Sequence, residues 1–217
     1  MTAADTHQDA WVAEFASAGF VVKSGVISHD LRAALTADAD DLIARFAGGY
    51  RSADFWCYDT PSETILYRVH NLEAQGAPRI TGLFRESVLH DLAARFLGGT
   101  ASATVCAMVV KTRGVAGVPW HRDRTNVSPG DALNLSVYLD PSHRGNGCFE
   151  AVPSSHLLPD DADVTATRDA GPRVLVPAGP GDVLVHDVRL IHGSGDNADG
   201  VERRSIIIEF AVPGSPA

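Results

Sequence analysis

Val118-Pro119-Trp120-His121-Arg122-Asp123 sets an imidazole and a carboxylate two residues apart at the end of a run that reads as a strand. In extended backbone the side chains of residues i and i+2 leave the same face, so His121 and Asp123 offer a nitrogen and an oxygen to one point in space. A third ligand stands far along the chain, in Leu190-Ile191-His192-Gly193-Ser194-Gly195. Two imidazoles and one carboxylate, with coordination positions left open, form the facial set that suits non-haem Fe(II) oxygen chemistry. His121, Asp123 and His192 are therefore the expected metal ligands. The spacing alone is cheap: His7-Gln8-Asp9 repeats it in an N-terminus expected to be mobile, where it is given no role. Context separates the two. His121-Arg122-Asp123 follows a strand, precedes a polar loop and lies upstream of a matching His; without that distal His, a hydrogen-bonded surface pair would account for it.

Outward from this stretch the chain is rich in short strands. Residues 103–111, 115–120, 148–152, 173–176, 182–186 and 203–210 are β-like, and Leu133, Leu135, Val137 and Leu139 alternate with Asn134, Ser136 and Tyr138. Ser128-Pro129-Gly130, Gly145-Asn146-Gly147 and Pro180-Gly181 punctuate them as turns. Before residue 100 the texture is different. A helix over 11–19 ends at Gly19, and Phe20-Val21-Val22-Lys23 reads as a short strand. Ser28 is placed to cap a second helix, whose Leu31, Leu35, Leu42 and Phe46 recur at helical spacing until Gly48-Gly49. A further helix is expected over 83–97, ended by Gly98-Gly99. Between them, residues 50–80 are irregular and aromatic, with a strand over 65–70; they read as a lid or one wall of a binding site, or as a loop packed on the core. Helices followed by many short strands predict an α+β fold with a jelly-roll or barrel core, in one domain over 1–217. Residues 1–99 would be helical scaffold and lid, and residues 100–217 the core.

Composition narrows the function. A 45% hydrophobic share is ordinary for a globular core, and no apolar run is long enough to cross a bilayer. A net charge of -9 disfavours nucleic acid or an anionic membrane as partner, though a locally basic pocket can still take a small anion. Cys57, Cys106 and Cys148 are odd in number and widely spaced, as expected of reduced thiols in the cytoplasm. Neither terminus carries a secretion, lipidation or retention signal. The expected partner is a small-molecule substrate.

Longer motifs add a resemblance. Trp120-His121-Arg122-Asp123, Gly147-Cys148-Phe149-Glu150 through Pro153-Ser154-Ser155-His156, Gly181-Asp182, His192-Gly193-Ser194-Gly195 and Arg203 occur in the order seen in the phytanoyl-CoA dioxygenase family of Fe(II)- and 2-oxoglutarate-dependent oxygenases. The chain resembles that family over most of its length. The resemblance implies a double-stranded β-helix, cupin-like and backed by N-terminal helices, with iron on His121, Asp123 and His192. It implies that Arg203 and Ser194 hold the distal carboxylate of 2-oxoglutarate, with Asn134 a further candidate for that cosubstrate. The implied reaction consumes O2, releases succinate and CO2 and hydroxylates an unactivated C–H of a small metabolite. Halogenating relatives lack the carboxylate ligand, so Asp123 points to hydroxylation or another oxygenase outcome. Where the family usually has Gly after the Pro of its Pro-Gly-Ser-His turn, this chain has Ser154, so that turn is expected to be shaped differently.

Several residues have competing readings. His186 lies six residues before His192 and competes with it as a ligand, but the His-Gly-Ser context favours His192. Arg203 is either a fixed guanidinium facing the metal or a surface partner of Glu202 or Glu209; Arg204 is expected to be a solvated charge. His70, His90 and His156 read as loop or helix-surface residues. An isomerase or sensor of cupin type would use a similar metal site without a cationic anchor, so Arg203 discriminates between the two functions. A nucleic-acid demethylase with the same ligands is disfavoured by the charge. Arg68 and Arg122 are among the cations available to an anionic substrate.

Overall fold

Leu133, Leu135, Val137 and Leu139 lie on one side of strand β6 (Ala132–Tyr138) and pack into the main hydrophobic cluster, while Asn134, Ser136 and Tyr138 line a cavity on the other. That strand sits inside the larger sheet, so both faces are buried and each has a different task. The computed structural model describes residues 3–85 and 87–215, with side chains from Ala10 onward.

In chain order the elements are α1 (Ala3–Ala18), β1 (Phe20–Lys23), α2 (His29–Ala47), the hairpin β2 (Phe55–Asp59) and β3 (Thr64–Val69), then α3 (Pro78–Arg85) and α4 (Val88–Phe96). There follow β4 (Ser102–Lys111), β5 (Val118–His121), β6, β7 (Phe149–Ala151), α5 (Val164–Ala170), β8 (Val174–Val176), β9 (Val183–Asp187), β10 (His192–Ser194) and β11 (Arg203–Ala211). Among the described residues the strands form two antiparallel sheets, ordered β1-β9-β6-β11-β4-β3-β2 and β5-β10-β7-β8. This is the jelly-roll, cupin-like architecture, with α1 to α4 packed on the larger sheet and α5 beside β5 of the smaller one. Leu35, Ala39, Leu42 and Phe46 of α2 supply its apolar stripe. Ser28 Oγ accepts from Leu31 N at 3.2 Å, closing the N-terminal turn of α2.

The structure differs from the sequence expectation in places that have physical causes. The helix expected over 83–97 is two helices, because Ser87 Oγ accepts from Leu89 N and donates to Leu83 O, capping α4 and tying it to the end of α3. Residues 55–59, expected to be irregular, form a strand with a register shift between Trp56 and Cys57, and β1, β2 and β3 all join the larger sheet, so strands lie on both sides of residue 99. The backbone of His7-Gln8-Asp9 falls in α1; its side chains lie outside the described residues. Arg204 is not solvated. It is 8% exposed and pairs with Asp140 through two hydrogen bonds of 2.8 and 2.9 Å, with Asp40 of α2 and with Glu202. It stands at the head of a central strand where helix and loop carboxylates converge. His156, also read as a surface residue, is buried, and its Nε2 lies 3.2 Å from Ala16 O. Ser154 keeps the left-handed backbone of a glycine turn (φ 64°), held by its Oγ donating to Ser17 O at 2.8 Å.

Candidate metal centre

β5 and β10 are neighbours in the smaller sheet, and their register sets His121 directly opposite His192. Directly opposed residues of an antiparallel pair have adjacent side chains, and the two imidazole centroids are 4.3 Å apart. Gly193 permits this approach. A Cβ there would sit 2.9 Å from Val118 O and 3.3 Å from the Trp120 ring. Asp123, just beyond β5, turns its carboxylate between the rings, with Oδ1 3.3 Å from His121 Nε2 and Oδ2 3.8 Å from His192 Nε2. One donor atom from each of the three residues lies within 4.8 Å of the others.

The protonation pattern suits a cation. His121 Nδ1 lies 2.8 Å from Pro119 O and His192 Nδ1 2.9 Å from Leu190 O. A carbonyl only accepts, so each Nδ1 carries a proton and each Nε2 is the nitrogen turned toward the centre. Burial pushes the His192 pKa down to about 3, which keeps that ring neutral. Burial also works against charge on His121, but the hydrogen bond and charge of Asp123 outweigh it and raise the His121 pKa. Burial disfavours the Asp123 anion too, yet its attraction to the surrounding imidazoles, His192 first, and the hydrogen bonds of His121 and His186 hold its carboxyl well below the usual range. Two imidazoles and a carboxylate are a donor set that fits a divalent iron ion, which would displace the proton that His121 Nε2 shares with Asp123.

Two further residues fix that carboxylate. Asn134 Nδ2 donates to Asp123 Oδ2 at 2.9 Å, and His186 Nε2 lies 3.1 Å from the same oxygen. They are opposite one another in the β6–β9 register. The structure thus sets His186 behind the ligand Asp123, and spends the Asn134 amide, a sequence candidate for the cosubstrate, on that same ligand.

Arg203, Ser205, Ile207 and Glu209 alternate along β11 into the cavity that contains the three donor groups, a space of about 240 Å³. Arg203 is 5% exposed and donates to Gly147 O at 2.7 Å, while its Nε has no hydrogen-bond partner. The carboxylates that compete for it are engaged elsewhere: Glu209 with Arg124 at 2.8 Å and Glu202 with Arg204 at 3.2 Å. A buried guanidinium without a carboxylate is costly, and an anion in the cavity would complete it. Ser194, also at the cavity wall, accepts from Lys111 Nζ at 2.9 Å and from Val118 N at 3.2 Å. Both of its lone pairs are used, so its own hydroxyl proton is free to be donated.

Lys111 was not singled out in the sequence. It closes an apolar strand and looks like an exposed strand end, yet it is 1% exposed and its ammonium also bonds Gly195 O. Only the register Lys111↔Arg203 reveals that it points beneath the cavity.

Comparison with known proteins bears on the family and the fold. The family model for phytanoyl-CoA dioxygenase matches residues 15–205. The chain belongs to the phytanoyl-CoA dioxygenase family. Its structure is similar to the crystal structure of AviO1 from Streptomyces viridochromogenes Tue57, at 48% identity over 97% of each chain with a TM-score of 0.92. It also matches the fold of SnoN, described as a non-haem α-ketoglutarate-dependent epimerase from nogalamycin biosynthesis, at 21% identity over 98% of this chain and 92% of that one, with a TM-score of 0.81. Among curated proteins, a probable α-ketoglutarate-dependent hypophosphite dioxygenase of Stutzerimonas stutzeri is 31% identical over 61% of this chain and 53% of its own length. The chain spans about half or less of the length of the curated relatives it matches.

Proposed function

We propose that this chain is an Fe(II)- and 2-oxoglutarate-dependent oxygenase that hydroxylates an unactivated C–H of a small organic molecule and releases succinate and CO2. The observation that carries the reading is the pairing, in one cavity, of two imidazoles and a carboxylate with a buried guanidinium that no carboxylate among the described residues satisfies. A metal-binding isomerase or sensor has no need of that cation. The dependence on α-ketoglutarate in the name of the Stutzerimonas relative supports the same co-oxidant.

His121, Asp123 and His192 would hold the iron, and Arg203 with the Ser194 hydroxyl would take the distal carboxylate of 2-oxoglutarate by a charge-assisted fork and one O–H bond. Bound together, iron and 2-oxoglutarate supply O2 activation, with one oxygen atom going to succinate and the other to the substrate. The chain's own contribution is geometric and electrostatic. Pro119 and Leu190 orient the two rings, and Asn134 and His186 hold the Asp123 carboxylate through Oδ2, so that its Oδ1 would be the freer oxygen for a metal. The apolar edge formed by Val109 and Val118 limits water at the cavity mouth.

Anaerobic titration with Fe(II) and 2-oxoglutarate tests this. The expected result is a visible metal-to-ligand charge-transfer band that His121→Ala and Asp123→Ala each abolish. An undiminished band in both variants, or none in the unaltered protein, rejects the assignment.

A further inference from the structure

The cavity around the donor groups, about 240 Å³, is smaller than the roughly 300–1,000 Å³ usual for a drug-sized ligand. Iron and 2-oxoglutarate would already occupy much of it. A neighbouring cleft of about 420 Å³ lies inside that range, and Arg68, Val109 and Val118 line both spaces. Its outer wall is the β2–β3 hairpin at the edge of the larger sheet. Trp56 meets Tyr67 edge-on with centroids 6.4 Å apart, and Tyr67 lies 5.8 Å from Tyr58. Tyr58 donates to Gly114 O at 3.2 Å, which ties the hairpin to the loop forming the opposite wall, where Val115 and Pro119 face it. Trp56 remains 46% exposed. At the floor stands Arg68, directly across the hairpin from Trp56 and registered to Val109 of β4. Its Nε is buried without a hydrogen-bond partner, and no Asp or Glu among the described residues lines the cleft. The ammonium of Lys111, which also reaches this lining, is committed to Ser194 and Gly195.

We infer that this cleft holds the bulk of the substrate, and that the substrate is a ring-bearing molecule, neutral or singly anionic, whose ring lies on Trp56 and Tyr67 while an oxygen acceptor meets Arg68. The inference rests on the oxygenase reading and names its substrate class. Aromatic side chains reward ring faces and edges with geometry that a short aliphatic solute does not match. Arg68 already feels the Asp123 carboxylate of the metal cavity, and its open Nε supports one carbonyl, hydroxyl or carboxylate group; a polyphosphate would leave charge unmet in a chain of net charge -9. Because the two spaces share Arg68, a group held there leaves the adjoining part of the substrate at the mouth of the metal cavity, where the reacting C–H belongs.

The test uses the full chain loaded with Mn(II) and 2-oxoglutarate, and ligand-observed NMR with four probes: benzoate, benzyl alcohol, glycine and glycerol 3-phosphate. Both ring probes are expected to bind with Kd values of about 1 mM, and the two aliphatic probes to bind more weakly. Trp56→Ala should weaken both ring probes about fivefold, the loss of one aromatic contact, and Trp56→Phe should restore most of it. Arg68→Met should weaken benzoate about tenfold and benzyl alcohol less. Trp56 lies at the surface, and its variants should bind 2-oxoglutarate as the unaltered protein does. Ring probes that fail to bind, that bind equally well to Trp56→Ala, or that bind no better than glycine overturn the inference. The charge-transfer titration distinguishes this failure from that of the oxygenase reading: a normal band with unselective probes rejects the cleft alone.

Discussion

Lys111 shows what a single buried charge can do for a site it does not enter. Burial first, and the neighbouring Arg203 charge second, bring its pKa down to about 8, while its ammonium saturates one lone pair of Ser194. If Ser194 donates to 2-oxoglutarate, Lys111 sets the direction of that O–H and adds positive charge behind it. The sign follows from the protonated form being the one that favours an anion. Affinity for 2-oxoglutarate should be level near neutral pH and fall as pH rises through and above about 8, where the ammonium neutralises; a bound anion shifts that fall to higher pH. Lys111→Met should weaken 2-oxoglutarate about ten- to a hundredfold, the scale of a hydrogen bond to a charged group, and flatten the alkaline limb. Calorimetry in the presence of Mn(II) reads both. Ser194→Ala should show the same loss, and the double variant little more, because the two residues act in series. Independent, additive losses would show that Lys111 merely supports the fold. The chain as a sequence gave no access to this residue, since an isolated Lys at the end of an apolar strand carries no mark of the strand it faces.

At the scale of elements, the β5–β10 ladder is what turns a sequence motif into a metal centre. His121-Arg122-Asp123 and His192-Gly193-Ser194 were readable because extended backbone fixes which side chains share a face, and Arg203 could be assigned to a face by alternation with Ser205. The register was not readable: that His121 stands across from His192, and Asn134 from His186, depends on pairings between strands distant in the chain. For the same reason the strand over 55–59 was hidden within a segment read as irregular, and the break between α3 and α4 within a continuous apolar repeat. Gly193 offers a test of the ladder. Its conformation does not demand glycine, so the obstacle to a side chain is space alone: a Cβ would stand 2.9 Å from Val118 O, which belongs to backbone and cannot rotate away. Gly193→Ala should push β5 from β10, separate the two imidazoles and weaken Mn(II) binding about tenfold or more, as a misplacement on the order of 1 Å does elsewhere. Unchanged Mn(II) affinity with an intact fold would mean that the ladder is slack and that the ligands find the ion by side-chain adjustment.

For the molecule as a whole, a chain of net charge -9 gathers Arg68, Lys111 and Arg203 around two adjoining spaces, so the repulsion expected between an acidic protein and a dicarboxylate is reversed locally. The cavity also lies between the two sheets. His121 and His192 come from the smaller one, whereas Arg203, Asn134 and His186 come from the larger. A metal held by the first and a co-oxidant anchored to the second would join them, so binding should appear as stability of the entire fold. A ligand at a hundredfold excess over its Kd contributes about 2.7 kcal/mol, and for a domain of this size each kcal/mol moves Tm by about 2–4 °C. Mn(II) should therefore raise Tm by roughly 5–10 °C, and 2-oxoglutarate should add a comparable increment only when Mn(II) is present, because it would bind metal and guanidinium together. Thermal melts of three proteins separate the contributions. Arg203→Met should retain the Mn(II) increment and lose the 2-oxoglutarate one, while His192→Ala should lose both. An Arg203→Met protein that still gains the second increment in full would remove Arg203 from the site and leave the buried guanidinium without a purpose, returning the metal-binding isomerase or sensor as the better account of the same three ligands.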